Sequence, residues 1–129
     1  MSQENVEVAR RTWEHLLFAD DPSEVVGPAF EVHDHDLPDA GVYRGAEGVR
    51  RWGSQWTEAW DEWEIDNEEY IDAGDRVVVI ARMSARGKGS GLTVHRREGL
   101  VLTIRSGTAV RLDYFSSRSE ALEAVGLSE

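Results

Sequence analysis

The chain has 129 residues, enough for one domain with a real core and too few for two ordinary ones. Its 14 basic and 25 acidic residues give a net charge of -11, which repels phosphate backbones and anionic lipid, so neither nucleic acid nor membrane is expected as a partner. The absence of cysteine excludes disulfides, thiolate metal sites and cysteine nucleophiles. The opening MSQENVEVARRTWEHLL lacks the unbroken apolar core of a signal peptide, and nowhere do about 18 apolar residues run together, so a soluble cytoplasmic protein is expected.

In residues 3–19, Val6, Ala9, Trp13, Leu16 and Leu17 recur at helical spacing, with Ser2 as a candidate cap. DDPSEVVGPAF (20–30) starts with acids and Pro22 and stops at Gly27 and Pro28, which predicts a short second helix. Residues 30–36 alternate as a strand with Phe30, Val32, Asp34 and Asp36 on one face and Glu31, His33 and His35 on the other. From Gly45, the spacing of Val49, Trp52, Trp56, Trp60 and Trp63 predicts a third helix with one aromatic face, weakened but not ended by Gly53. From Ile65 the period changes to two. Long antiparallel strands follow, joined by turns at Ala73-Gly74-Asp75, Gly87–Gly91 and Ser106-Gly107. SRSEALEAVGL (117–127) closes the chain as a short helix capped by Ser117 or Ser119 and stopped at Gly126. Helices first and hairpins afterwards predict an α+β fold, a single domain over 1–129 in which a curved antiparallel sheet wraps the N-terminal helices as a cone with an open mouth.

The order of these elements, with D.PDAG.YRG.EGV..W, GDRVVV and G.AVRLDYF...EALEAVGL, resembles the SnoaL-like branch of the nuclear-transport-factor-2-like superfamily over nearly the whole chain. That resemblance implies a small pocket protein of SnoaL-like type. Its relatives include polyketide cyclases, ketosteroid isomerases, limonene epoxide hydrolases and domains without chemistry, so fold alone does not decide function.

Carried over residue by residue, the resemblance places Asp36 where ketosteroid isomerases hold their proton-moving aspartate. The positions of their oxyanion hole fall on Trp13, an N–H donor, and on Gly99 or Leu100, neither of which is an acid, so steroid isomerisation is disfavoured. Against the epoxide hydrolases, Asp113 falls on the water-activating aspartate and Arg82 on the arginine beside it, but Ser84 stands where the second acid belongs. An Arg82–Asp113 pair on neighbouring strands is therefore expected, either catalytic or a half-buried ion pair of the sheet.

His33 and His35, two apart on a strand, could chelate one zinc ion if His95 or an acid completed the site. Their face is opposite Phe30 and Val32 and no second paired motif exists, so no metal is expected, and RGKGSG lacks the spacing of a phosphate loop. Trp13, Trp52 and Trp56 with His35, His95 and the hydroxyls of Tyr43 and Tyr114 are the candidate ligand contacts, suited to a small apolar or aromatic molecule with a few oxygens. Two functions follow as expectations. One is a cofactor-free cyclase or isomerase in which Asp36 or Asp113 shifts a proton on a small carbonyl compound; the other is a non-catalytic binding or structural domain. The strands of 76–115 carry apolar residues on both faces, Val78 and Ile80 on one and Val77 and Val79 on the other, which predicts a homodimer through the convex face.

Overall fold

The computed structural model describes residues 2–19, 21–36 and 41–127. The side chain of Ser2, and with it the expected first cap, lies outside the described residues. Helix α1 spans Ser2–Phe18 and buries Ala9, Thr12 and Trp13, with Val6, Leu16 and Leu17 packed beside them. The second predicted helix is a single 3-10 turn, Pro22–Glu24, whose Asp21 cap accepts hydrogen bonds from the Ser23 backbone N–H at 3.0 Å and the Ser23 hydroxyl at 2.7 Å.

Strands β1 (Glu31–Asp34) and β2 (Gly41–Arg44) precede helix α2 (Gly45–Thr57). Gly45 starts that helix at φ +66, a backbone state that favours glycine, and its N–H reaches Phe30 O at 2.8 Å. Gly48 lets the helix lie on β2, since an added Cβ would stand 2.7 Å from the Tyr43 carbonyl carbon. Strands β3 (Trp60–Ala73), β4 (Arg76–Gly87), β5 (Thr93–Arg105) and β6 (Thr108–Phe115) follow, then helix α3 (Arg118–Ala124), capped by the Ser117 hydroxyl.

The six strands form one curved, unclosed sheet in the order β2-β1-β6-β5-β4-β3. Neighbours are antiparallel except β1, which runs parallel to β6. The α+β architecture expected from the sequence is present. Its main core lies between the concave face and α1 and α2, built from Phe30, Val32, Val77, Val79, Leu100, Leu102 and Leu112. On the convex face α3 lays Ala121 and Leu122 over Val78, Ile80 and Val101, all essentially buried. The apolar row that argued for self-association is thus covered by the chain's own last helix.

Two boundaries differ from expectation. Helix α2 stops at Thr57, so Trp60 and Trp63 belong to a strand. Their spacing of three reads as helical, but a register shift between Trp60 and Glu62 inserts one residue and brings both rings to the inner face, where a regular strand would have split them. The aromatic cluster survives across the two elements: Trp56 meets Trp63 edge-on at 5.2 Å and Trp60 at 6.3 Å. Strand β1 also ends early. Asp34 Oδ1 accepts the Asp36 backbone N–H at 3.0 Å, and this side-chain turn takes the chain off the strand before Asp36.

Candidate functional site

Between α1, α2 and the concave face lies a cavity of about 120 Å³, smaller than the roughly 300–1,000 Å³ of drug-sized ligand pockets. Leu16 and Trp13 of α1 and Val49, Trp52, Gly53 and Trp56 of α2 form one side, and Trp63, Ile65, Glu98 and Tyr114 of the sheet the other. Of the expected ligand contacts, Trp13, Trp52, Trp56 and Tyr114 border it.

Among the described lining residues Glu98 is the one that carries a carboxyl. Glu98 is only 2% exposed, and burial pushes its pKa up against the opposing effects of the Tyr114 hydrogen bond and the Arg96 charge, with Asp36 and Asp34 adding to the rise. The Tyr114 hydroxyl donates to Glu98 Oε2 and accepts from Arg96 Nη2 at 2.8 Å, while Arg96 Nε stands 3.7 Å from the same oxygen. Burial, together with the neighbouring Glu98 carboxylate, holds the Tyr114 phenol well above its ordinary pKa. Burial would lower the pKa of Arg96, but Tyr114, Glu98 and Asp36 outweigh it and raise it, so the guanidinium stays charged.

Two of the four indole donors bordering the cavity are committed elsewhere. Trp13 Nε1–H donates to Asn67 Oδ1 at 2.9 Å and Trp52 Nε1–H to Asp34 Oδ2 at 2.8 Å. Trp13 therefore does not offer the free N–H expected of it at an oxyanion hole. Asp34, 8% exposed, lies on the inner face with Phe30 and Val32 and is fully engaged by Trp52 and the Asp36 backbone.

The proposed catalytic residues lie outside the cavity wall. Asp36 is a turn residue with a side chain 39% exposed, 3.8 Å from Arg96 Nη2. Arg82 and Asp113 do not meet, because β5 lies between β4 and β6. Arg82 instead pairs with Glu68 at 2.9 Å, and Asp113 accepts two hydrogen bonds from Arg111, each at 2.8 Å, and one from His35 at 2.8 Å. Burial raises the Asp113 pKa, yet these bonds from Arg111 and His35 prevail and lower it overall.

The histidines separate as well. His33 Nε2 meets Glu31 Oε1 at 2.8 Å, so His33 and His35, with ring centroids 6.4 Å apart, turn to different carboxylates. His35 also stacks on Phe115 at 4.6 Å, and His95 meets the Ser84 hydroxyl on the outer face at 2.9 Å. Among the described residues no three metal-binding side chains converge. Tyr43 is buried beneath α2, its hydroxyl donating to Gln55 Oε1 at 2.6 Å. Among the described residues no helix is long and apolar enough to cross a membrane.

Glu98 is the residue that the sequence reading missed. It shares strand parity with Leu100, Leu102 and Ile104, all buried inward, so an acid on the apolar face was legible there. The resemblance pointed one or two residues further, to Gly99 or Leu100. Gly99 faces α3, where an added Cβ would stand 2.5 Å from Ala121 Cβ, and a shift of one residue on a strand exchanges the two faces.

Solved structures share this fold. A candidate SnoaL-like polyketide cyclase from Jannaschia sp. CCS1 superposes with a TM-score of 0.75 at 22% identity, covering 99% of this chain and 95% of that one. TerC, co-crystallised with polyporic acid, gives 0.72 at 19%, covering 95% and 98%. An NTF2-like protein from Burkholderia thailandensis E264 gives 0.74 at 24%, covering 86% and 88%. No curated protein is significantly similar to the chain. The model of the SnoaL-like domain matches residues 7–112, most of the sequence, and the fold agrees with it: the chain belongs to the SnoaL-like domain family.

Proposed function

We propose that the chain is a cofactor-free acid–base enzyme of polyketide-cyclase-like type, acting on a small, mainly apolar carbonyl compound, with Glu98 accepting and returning the proton. The observation that carries this reading is a buried carboxyl of raised pKa in the wall of an otherwise apolar cavity. Its Oε2 accepts from Tyr114 and lies 3.7 Å from Arg96 Nε, and the proton transfer is assigned to the other oxygen, Oε1. In the step envisaged, Oε1 takes a proton from the carbon beside a carbonyl, the C–H electron pair forms the enolate, and return of the proton to carbon restores Glu98. The role of proton acceptor is assigned here to Glu98 instead of Asp36 because Glu98 borders the cavity. A cavity of about 120 Å³ suits a ring-sized compound, which weighs further against a steroid.

Hydrogen exchange tests the reading without knowledge of the natural substrate. Acetophenone in D2O should lose its methyl proton signal faster with the protein, and the Glu98→Gln variant should reduce that acceleration by about a hundredfold. Equal exchange with and without protein would reject it.

A second reading, a binding domain for an apolar metabolite, is favoured by the commitment of the Trp13 and Trp52 N–H groups, which leaves neither of these two free to stabilise an enolate oxygen. Either way the partner is a small apolar or aromatic molecule. The homodimer expected from the sequence would have to use outer-face strands not already covered by α3, and light scattering at micromolar concentration measures it.

A further inference from the structure

We infer that Gly53 sets the size of the ligand that the cavity admits, an inference resting on the cavity being the ligand site. Val49, Trp52, Gly53 and Trp56 lie at helical spacing along α2 and all border the cavity, and Gly53 is the only residue of this stripe without a side chain. A glycine inside a helix costs stability relative to alanine, so its presence calls for a local reason. Gly48 in the same helix has one, the close approach of Tyr43. Gly53 has none of that kind. Its φ is not positive, and a Cβ added there would meet no atom within 4 Å beyond its own stretch of helix.

What a side chain at 53 would occupy is therefore space beside the cavity. At about 120 Å³ the cavity approaches the roughly 150 Å³ of an apolar cavity known to admit benzene, so one added side chain changes which rings fit. Residue 53 acts as a size filter for the apolar part of the ligand, while Glu98 handles its polar part.

The test measures binding of benzene, ethylbenzene and acetophenone by ligand-observed NMR to the wild type, Gly53→Ala, Gly53→Leu and the control Ser54→Leu, whose position is exposed on the same helix. Wild type and Ser54→Leu should bind benzene alike, and Gly53→Leu should bind it about tenfold more weakly or worse. Gly53→Ala should bind about threefold more weakly while melting at a higher temperature, which covers the case of a leucine variant that does not fold. Benzene binding to Gly53→Ala and Gly53→Leu as tight as to wild type would overturn the inference. Loss of benzene binding in Gly53→Leu with no wild-type preference for acetophenone over ethylbenzene would uphold Gly53 and sink the Glu98 reading. Failure of the wild type to bind any of the three would overturn both.

Discussion

The Tyr114 hydroxyl donates its hydrogen bond to Glu98 Oε2 inside the sheet, between β6 and β5, and the same hydroxyl receives Arg96. That bond favours the ionised carboxylate, whereas burial favours the neutral acid, and burial prevails. Tyr114→Phe keeps the ring, which meets Trp52 edge-on at 5.9 Å, and removes the donor. The Glu98 pKa should then rise further, and the folded protein should lose about 1–3 kcal/mol. Denaturant unfolding and the pH profile of proton exchange check this together; a downward shift of the profile would contradict it.

Glu98 also makes stability depend on pH in a definite direction. Because its folded pKa lies above the unfolded one, the native state holds the extra proton between the two. The resulting stabilisation is present at low pH and is lost as pH rises through the folded pKa. Glu98→Gln should gain on the wild type as pH rises through that window, and melting curves from pH 4 to 8 would show it. A difference that stays constant over the range would count against the assignment.

Asp113 behaves in the opposite sense. With Arg111 and His35 holding its folded pKa below the usual range, its contribution is present at neutral pH and lost as pH falls through the folded pKa. Asp113→Asn should cost about 1–2 kcal/mol at pH 7 and progressively less in acid. An Arg82→Ala, Asp113→Asn double-mutant cycle should be additive within about 0.5 kcal/mol, whereas Arg82 and Glu68 should show coupling of up to about 1 kcal/mol.

Gly99→Ala should destabilise by about 1–3 kcal/mol, since the added methyl collides with Ala121 under α3. Adding Ala121→Gly should recover part of that loss. Equal losses in the single and double variants would indicate that α3 does not pack there as described.

The architecture was legible because period and turn chemistry are local: α1, the Gly74 and Gly107 hairpin turns and the Ser117 cap stand where the sequence placed them. Trp60 and Trp63 misled because a bulge makes strand spacing imitate helical spacing, and no local pattern announced it. Asp36 misled because the hydrogen bond that ends β1 belongs to the side chain of Asp34. The Arg82–Asp113 pairing required strand order, which alternation does not encode. Glu98 was visible as an acid among inward leucines, but VLTI carries apolar residues on both parities, and only α3 settles which face it covers.

Titration of the Glu98 side-chain carboxyl by carbon-13 NMR, with Glu98→Gln to assign the signal, tests the central claim most directly. The account predicts a midpoint above the usual glutamate range, moving higher still in Tyr114→Phe. A midpoint at or below that range would contradict it, leaving a permanently ionised side chain paired with Arg96 and no group in the cavity wall poised to move a proton.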